Sequence, residues 1–201
     1  MDKPWQVISD LEIHPSRLNK EAIIQVQAEA GNNEFFEGCR LALDPMITFG
    51  LKQIPEKTDE DGVGMDWDSF SLIITGFVNR SLTGNLARDT VNKMIASATK
   101  AQWNGWYRRI LIKDLRCGVS EKTVNKVLKG KTIASVPVFE CMLAHDGANH
   151  EGKITGKKLL EPKLDGVRAI TVVDYESKTV TMYTRNGKVL ENFAHITSYL
   201  E

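Results

Sequence analysis

The sequence predicts a multi-domain chain, an all-α N-terminal domain followed by the first strands of an antiparallel α+β domain. Two observations lead there. From Pro4 to Gly130 apolar residues recur at three- and four-residue spacing, which places them on one side of short helices. From Lys157 onward the period falls to two, the period of a half-buried strand. Between them, Lys131–Gly156 holds Pro137, Gly147, Gly152 and Gly156 and follows neither period. The expected division is residues 1–135 helical, 136–156 linker, and 157–201 the start of the second domain.

Each helix has its own signals. Trp5, Ile8 and Leu11 share a face, and Pro4 suits a first turn. Asn19 is a fitting cap for Lys20–Ala30, and Gly31 a stop. Asn33–Leu43 repeats the pattern with Phe35, Phe36, Cys39 and Leu43. Leu51–Met65 is a polar loop. Its Lys57-Thr58-Asp59-Glu60-Asp61-Gly62 has nothing apolar to bury, so mobility is expected there. Trp67–Val78, capped by Asp66, and Leu86–Ser97 follow. Trp103–Leu115 is expected as one helix with Arg108, Arg109 and Lys113 on its polar side, stopped at Arg116-Cys117-Gly118. Ser120 caps the next helix, which carries Lys122, Lys126 and Lys129 and ends at Gly130. Short amphipathic helices bury their stripes only against each other, so they imply a bundle.

Composition excludes several classes. No run approaches the roughly eighteen apolar residues of a membrane span. The start, Met1-Asp2-Lys3-Pro4-Trp5, lacks the layout of a secretion signal. Cys39, Cys117 and Cys141 are odd in number and far apart, which fits a reducing cytoplasm. His145 and His150 have no further Cys or His at ligand spacing and read as loop residues. The formal net charge of zero hides a segregation. Residues 1–75 hold 6 Lys+Arg against 14 Asp+Glu, residues 76–140 hold 12 against 4, and residues 141–201 hold 8 of each. The middle third therefore suits a polyanionic partner, unless the acidic third neutralises it.

Inside that third, Arg80 precedes the turn Thr83-Gly84-Asn85, and Arg116 precedes Gly118-Val119-Ser120. Both turns open helices. Free N–H groups at a helix start, with the helix dipole, hold phosphate oxygens, and glycine lets the backbone approach. Arg80, Thr83, Gly84, Asn85, Arg108, Arg109, Lys113, Arg116, Gly118, Ser120 and Lys122 are the candidate contacts to a phosphate backbone. Taken singly, each turn also reads as an ordinary helix cap.

In the second domain the central stretch is Glu161-Pro162-Lys163-Leu164-Asp165-Gly166-Val167-Arg168. Lys157-Lys158-Leu159-Leu160 reads as a strand leading in and Ala169–Val173 as a strand leading out. A lysine so held can point into a pocket. It attacks only when neutral, and at its ordinary pKa of about 10.4 less than about one part in a thousand is neutral at pH 7. Desolvation or neighbouring cations raise that fraction. On spacing alone, a lysine and an aspartate two apart on a hairpin describe a solvated surface equally well. Val167, Ala169, Thr171 and Val173 alternate, as do Val180, Met182 and Thr184, across the turn Asp174–Lys178. Asn186-Gly187 is a tight-turn signal, and Glu191–Leu200 begins a helix.

The eight residues E-P-K-L-D-G-V-R resemble the K-x-D-G-x-R signature of nucleotidyltransferases: ATP-dependent DNA ligases, RNA ligases and mRNA capping enzymes. Thr184-Arg185-Asn186-Gly187 resembles the S-R-N-G element of the same families, with threonine keeping the hydroxyl. Upstream, S-L-T-G-N-L-A, W-Y-R-R-I-L-I-K-D-L-R-C-G-V-S and N-K-V-L resemble the helical DNA-binding domain of phage-type ATP-dependent DNA ligases, and Met142-Leu143-Ala144 their short M-L-A element. RNA ligases and capping enzymes lack that preceding domain. The resemblance covers about residues 67–190.

It implies an adenylation (nucleotidyltransferase) domain using ATP and Mg²⁺ on nicked duplex DNA, in a monomer in the cytoplasm of a bacterial or phage-infected cell. Lys163 would attack the α-phosphate of ATP and carry AMP. AMP would pass to the 5′-phosphate at a nick, and the 3′-hydroxyl would then seal the strand. Glu161 would accept from the adenine amino group. Arg168 would contact the ribose or phosphate of the nucleotide, Arg185 the ribose or the 5′-phosphate. Asp165 and Gly166 would shape the loop. The later elements of such a ligase, D-G-E, E-G-x-x and K-x-K, do not follow Lys163 in these 201 residues, nor does an OB-fold domain. The expectation is an N-terminal part of such a ligase, inactive by itself.

Overall fold

The computed structural model describes residues 2–60, 62–140, 145–159, 161–162, 165–185 and 187–200. It shows a helical unit, Met1–Val138, and a second unit, Phe139–Glu201, that carries an antiparallel hairpin. The fold class read from the sequence holds: helices first, then the start of a β structure. Among the described residues no helix is long and apolar enough to cross a membrane.

In the helical unit α1 (Pro4–Ile13), α2 (Arg17–Glu29) and α3 (Asn33–Leu43) come first, then α4 (Trp67–Val78) and α5 (Gly84–Ser97). Pro4 occupies the first turn of α1, as its missing N–H allows. Asn32 accepts from the Phe35 N–H at the start of α3, and Asp66 from the Ser69 N–H at the start of α4. α2 begins at Arg17, three residues before the expected start, so Asn19 lies in its first turn and Ser16 takes the cap position.

The expected single helix Trp103–Leu115 is a composite. It opens with α6 (Lys100–Gln102), capped by the reciprocal bonds of Thr99 and Gln102. It widens to a π-turn over Trp103–Tyr107 and closes with α7 (Arg108–Leu111). The end falls four residues early, because Lys113 (φ 60°) and Arg116 (φ 52°) are both left-handed. The last helix of the unit is α8 (Glu121–Leu128).

The π-turn is the centre of the core. Trp103, Trp106 and Tyr107 are fully buried. Trp106 stacks on Phe35 at 5.7 Å and Tyr107 on Phe70 at 4.3 Å between ring centroids, which ties α3 and α4 to the turn. Gly38 of α3 lies under the Trp106 indole, and a Cβ there would overlap the ring. Gly105 faces Trp5 of α1 in the same way, at 2.9 Å.

Side chains of the π-turn also hold described residues of the loop from Leu51 to Met65, and its Lys57-to-Gly62 stretch, expected to bury nothing, does bury a side chain. Lys57 is 3% exposed, and its ammonium donates to the Ile95 carbonyl at 2.8 Å and pairs with Asp59 at 2.9 Å. Trp103 Nε1 donates to the Pro55 carbonyl at 2.9 Å and Tyr107 Oη to the Met65 carbonyl at 2.8 Å. Gln102 closes the far end, accepting from the Met65 N–H at 3.0 Å. Side chains thus satisfy backbone groups of Ile54, Pro55, Lys57 and Met65 that a neighbouring strand would otherwise take. After α8, Asn125 clasps Val136 through both backbone groups, and Val136 is buried with the helical core.

In the second unit a short 3₁₀ segment spans Gly147–Lys153. The hairpin pairs β1 (Ala169–Asp174) with β2 (Thr179–Thr184) in the register Ala169↔Thr184, Thr171↔Met182 and Val173↔Val180, so the residues expected on one face do share it. Asp174 closes the turn by accepting from the Glu176 and Ser177 N–H groups. Met182 is the buried member of that face. The strand expected over Lys157–Leu160 is absent from its described part, residues 157–159. The final helix is only α9 (Ala194–Thr197).

Candidate functional site

The first candidate surface is built from the turn before α5. Thr83 is extended and its side chain makes no capping bond. Gly84 is left-handed at φ 57°, with open space where a side chain would stand. Thr83, Gly84 and Asn85 are all exposed. The first N–H groups of α5 therefore point outward with no side chain over them. Arg80, itself left-handed at φ 64°, is fixed beside them by donating to Thr48 Oγ1 at 2.8 Å. It lies against Gly50, where a Cβ would strike the guanidinium. One turn into α5, exposed Arg88 makes no ion pair or hydrogen bond with the described residues. Sequence reasoning missed it. The signal was its four-residue spacing from Gly84, which puts both on one helix face.

The second candidate surface is the turn before α8. Ser120 is extended and makes no capping bond, and Gly118 is left-handed at φ 66°. A cavity of about 290 Å³ opens here, lined among others by Arg17, Lys20, Gly118, Ser120, Lys122 and Thr123. Arg17 and Lys20 come from the acidic first third, so the charge segregation concealed them. Lys20 Nζ donates to the Cys117 carbonyl at 2.5 Å, and a Cβ at Gly118 would press on that ammonium at 2.6 Å. Glycine here thus serves the turn and makes room for the cation.

Three expected contacts face the wrong way for a ligand. Arg108 and Arg109 side chains are each 13% exposed. Arg108 donates to the Ile54 carbonyl at 2.9 Å and pairs with Glu56 at 3.2 Å. Arg109 pairs with Glu12 at 2.7 Å and donates to the Leu115 and Asn104 carbonyls. Lys113 donates to the Leu41 and Asp44 carbonyls and sits 5.7 Å from the Phe49 ring. Burial lowers its pKa to about 8, while the Asp44 charge pulls the other way. These three cations hold α1, α3 and the loop together and do not form a solvent-facing stripe. Arg116 is half exposed and shares Glu56 with Arg108 at 3.7 Å. The acidic third does neutralise part of the basic third, at these residues. It also does so at Lys126 with Glu21 at 2.6 Å and at Lys100 with Glu60 at 2.8 Å.

In the second unit Lys163 lies outside the described residues, as do Leu164, the Met142-Leu143-Ala144 element and Asn186. Glu161, Asp165, Gly166, Arg168 and Arg185 are described and exposed. The hairpin register carries a consequence for the arginines. The ladder ends at Ala169 opposite Thr184, and Arg168 and Arg185 are the next residues in sequence beyond that pair. Both therefore flank the open end of the hairpin, next in sequence to the E-P-K-L-D-G loop. Among the described residues no group of three His, Cys, Asp or Glu could hold a metal ion.

The arrangement defines a two-unit protein: a helical unit with two open helix starts amid cations, and a unit carrying an antiparallel hairpin with exposed Arg168 and Arg185 next to its ends in sequence. Among solved structures the chain is similar to one named Pmar-Lig_Pre, with 49% identity and a TM-score of 0.88. It is also similar to one named Pmar-Lig_PreS3, with 50% identity and a TM-score of 0.88. Each match covers 98% of this chain and 45% of the other, so the chain spans somewhat under half the length of these structures. No protein-family model and no curated protein matches it.

Proposed function

We propose that the chain is the N-terminal part of an ATP-dependent DNA ligase, which grips duplex DNA through its helical unit and transfers AMP through Lys163. The observation that carries this is the match over 98% of the chain, at 49–50% identity, to structures whose names contain "Lig", read here as ligase. The order of the two units supports it. A helical unit with open helix starts precedes the lysine motif, which favours a DNA ligase over an RNA ligase or capping enzyme.

In this account Gly84 and Gly118 offer backbone N–H groups to phosphates, with Thr83, Asn85 and Ser120 beside them. Arg80, Arg88, Lys20, Lys122 and Arg116 supply the charge. Such contacts grip the backbone and carry no sequence information. In the second unit the Lys163 amine, once it has lost its proton, forms a P–N bond to the α-phosphate of ATP, and the bond to pyrophosphate breaks. Arg168 and Arg185 meet the charge that builds on phosphoryl oxygens, and Glu161 selects the base. Mg²⁺ would come bound to the phosphates of ATP. The test is nick sealing by the protein that carries this chain. It should seal a 5′-phosphorylated nick in an ATP-dependent way, and Lys163→Ala should abolish sealing. Sealing by the alanine variant would overturn the proposal.

A further inference from the structure

We propose that Asp165-Gly166 is a site of spontaneous backbone modification, at which the aspartate rearranges to isoaspartate through a cyclic imide. The reaction needs a free aspartyl carboxyl, a following residue with no side chain to screen its nitrogen, and room to close the ring. Asp165 and Gly166 are both exposed. The Asp165 carboxyl makes no hydrogen bond or ion pair with the described residues, and the Gly166 N–H makes no hydrogen bond to them. A Cβ at Gly166 would meet no described atom within 4 Å, and the residue is not left-handed, so nothing in its geometry there calls for glycine. Other pairs of the same kind are held. Asp146 precedes Gly147, but its Oδ1 accepts from the Ala148 N–H at 3.0 Å, and a Cβ at Gly147 would lie 3.3 Å from Ile154 Cδ1. Asn104 precedes Gly105, but both ends of its amide bind Lys57 from inside the π-turn. Asp61-Gly62 and Asn186-Gly187 each begin at a residue outside the described ones.

In the first step the Gly166 nitrogen attacks the γ-carboxyl carbon of Asp165. A C–N bond forms, a C–O bond breaks, and water leaves with the amide proton and a carboxyl oxygen. Water then adds to either imide carbonyl. Opening at the γ-carbonyl restores aspartate. Opening at the α-carbonyl leaves the chain running through Cβ and Cγ, with a free α-carboxylate beside it. No oxidant and no reactant besides water takes part. The main chain between Lys163 and Arg168 is then longer by a carbon atom. Under the proposed function this loop presents the lysine that carries AMP, so the rearranged protein transfers AMP poorly. That consequence rests on the ligase reading; the modification itself does not.

The test stores the protein that carries this chain warm at neutral pH and digests it with trypsin. Isoaspartate is then located by chromatography of the peptides and by methylation with L-isoaspartyl methyltransferase. Cleavage after Lys163 and Arg168 isolates residues 164–168, in which Asp165 is the only acid. Cleavage after Lys131 and Lys153 isolates residues 132–153, in which Asp146 is the only aspartate. Isoaspartate should accumulate at Asp165 severalfold faster than at Asp146. Gly166→Ala, whose methyl group meets no described atom, should slow it severalfold. AMP transfer by the parent should fall in step with the rearranged fraction. Isoaspartate absent from residues 164–168, equal accumulation at Asp146, or an unchanged rate in Gly166→Ala would overturn the proposal. Undiminished AMP transfer by the rearranged protein would overturn the link to activity. Accumulation at Asp165 in a protein that takes no AMP even when fresh would support the site and count against the ligase reading.

Discussion

Asn104 holds Lys57 by both backbone groups: its Oδ1 accepts from the Lys57 N–H at 2.9 Å, and its Nδ2 donates to the Lys57 carbonyl at 2.8 Å. A side-chain amide here replaces the neighbouring strand that a loop of this polarity lacks. The π-turn makes it possible, because widening the helix brings Trp103, Asn104, Tyr107 and Arg108 to the same side. Asn104→Ala leaves both groups of Lys57 without partners. We expect a loss of about 1–3 kcal/mol in chemical denaturation. Hydrogen exchange of the Lys57 amide should accelerate more than that of α3.

Gly38 tests the packing under the π-turn. A methyl group there meets the Trp106 ring, which is fully buried, stacks on Phe35 and touches Trp67. Gly38→Ala should cost about 1–3 kcal/mol by overpacking, against its gain in helix propensity. An alanine at Gly31, where φ is 67° but space is open, should be strained only by its backbone. A Gly38→Ala protein as stable as the parent would show that the indole can shift.

Lys113 gives a pH signature. Its folded pKa, lowered to about 8 by burial, lies below the ordinary lysine value of 10.5. The folded state therefore binds this proton less well than the unfolded state, and folding penalises the charged form. The penalty is full below pH 8, diminishes as pH rises, and is gone above about 10.5. Compared with Lys113→Met, the parent should gain stability as pH rises from 8 towards 10. Parallel stability curves for the two proteins across that range would contradict the account.

Arg88 and Arg108 should behave oppositely. Arg88→Ala should leave stability unchanged, weaken binding to unrelated duplexes equally, and reduce the salt slope by about 1. Arg108→Ala removes the bonds to Ile54 and Glu56 and should act first on stability. Weakened DNA binding by Arg108→Ala with an unchanged melting profile would put that arginine on the DNA.

Where side chains pack on their own helix, the sequence was enough. α3 and α4 end where apolar spacing said they would, since Asn33–Leu43 and Trp67–Val78 have local determinants. The π-turn and the held loop were illegible because each is defined by the other. Nothing in W-N-G-W-Y announces that Asn104 will meet Lys57 47 residues away. Arg108, Arg109 and Lys113 were misplaced for a related reason. A basic residue on a helix is expected to face solvent, yet main-chain carbonyls at Ile54, Leu115 and Leu41 turn these three inward. At the candidate site, Gly84 was readable as part of a turn and Gly118 as a helix stop, while Arg17 and Lys20 came from a distant part of the chain. That Arg168 and Arg185 both lie just beyond the Ala169–Thr184 pair needed the hairpin register, which spacing alone leaves open by one residue.

The central claim is that Lys163 becomes covalently bound to AMP. The direct measurement is to incubate the protein that carries this chain with α-labelled ATP and Mg²⁺, digest it, and locate the label by peptide mapping. The label should be acid-labile and lie in the peptide containing Lys163, and Lys163→Ala should carry none. A label on any other residue, or an undiminished adduct in the Lys163→Ala protein, would contradict the account.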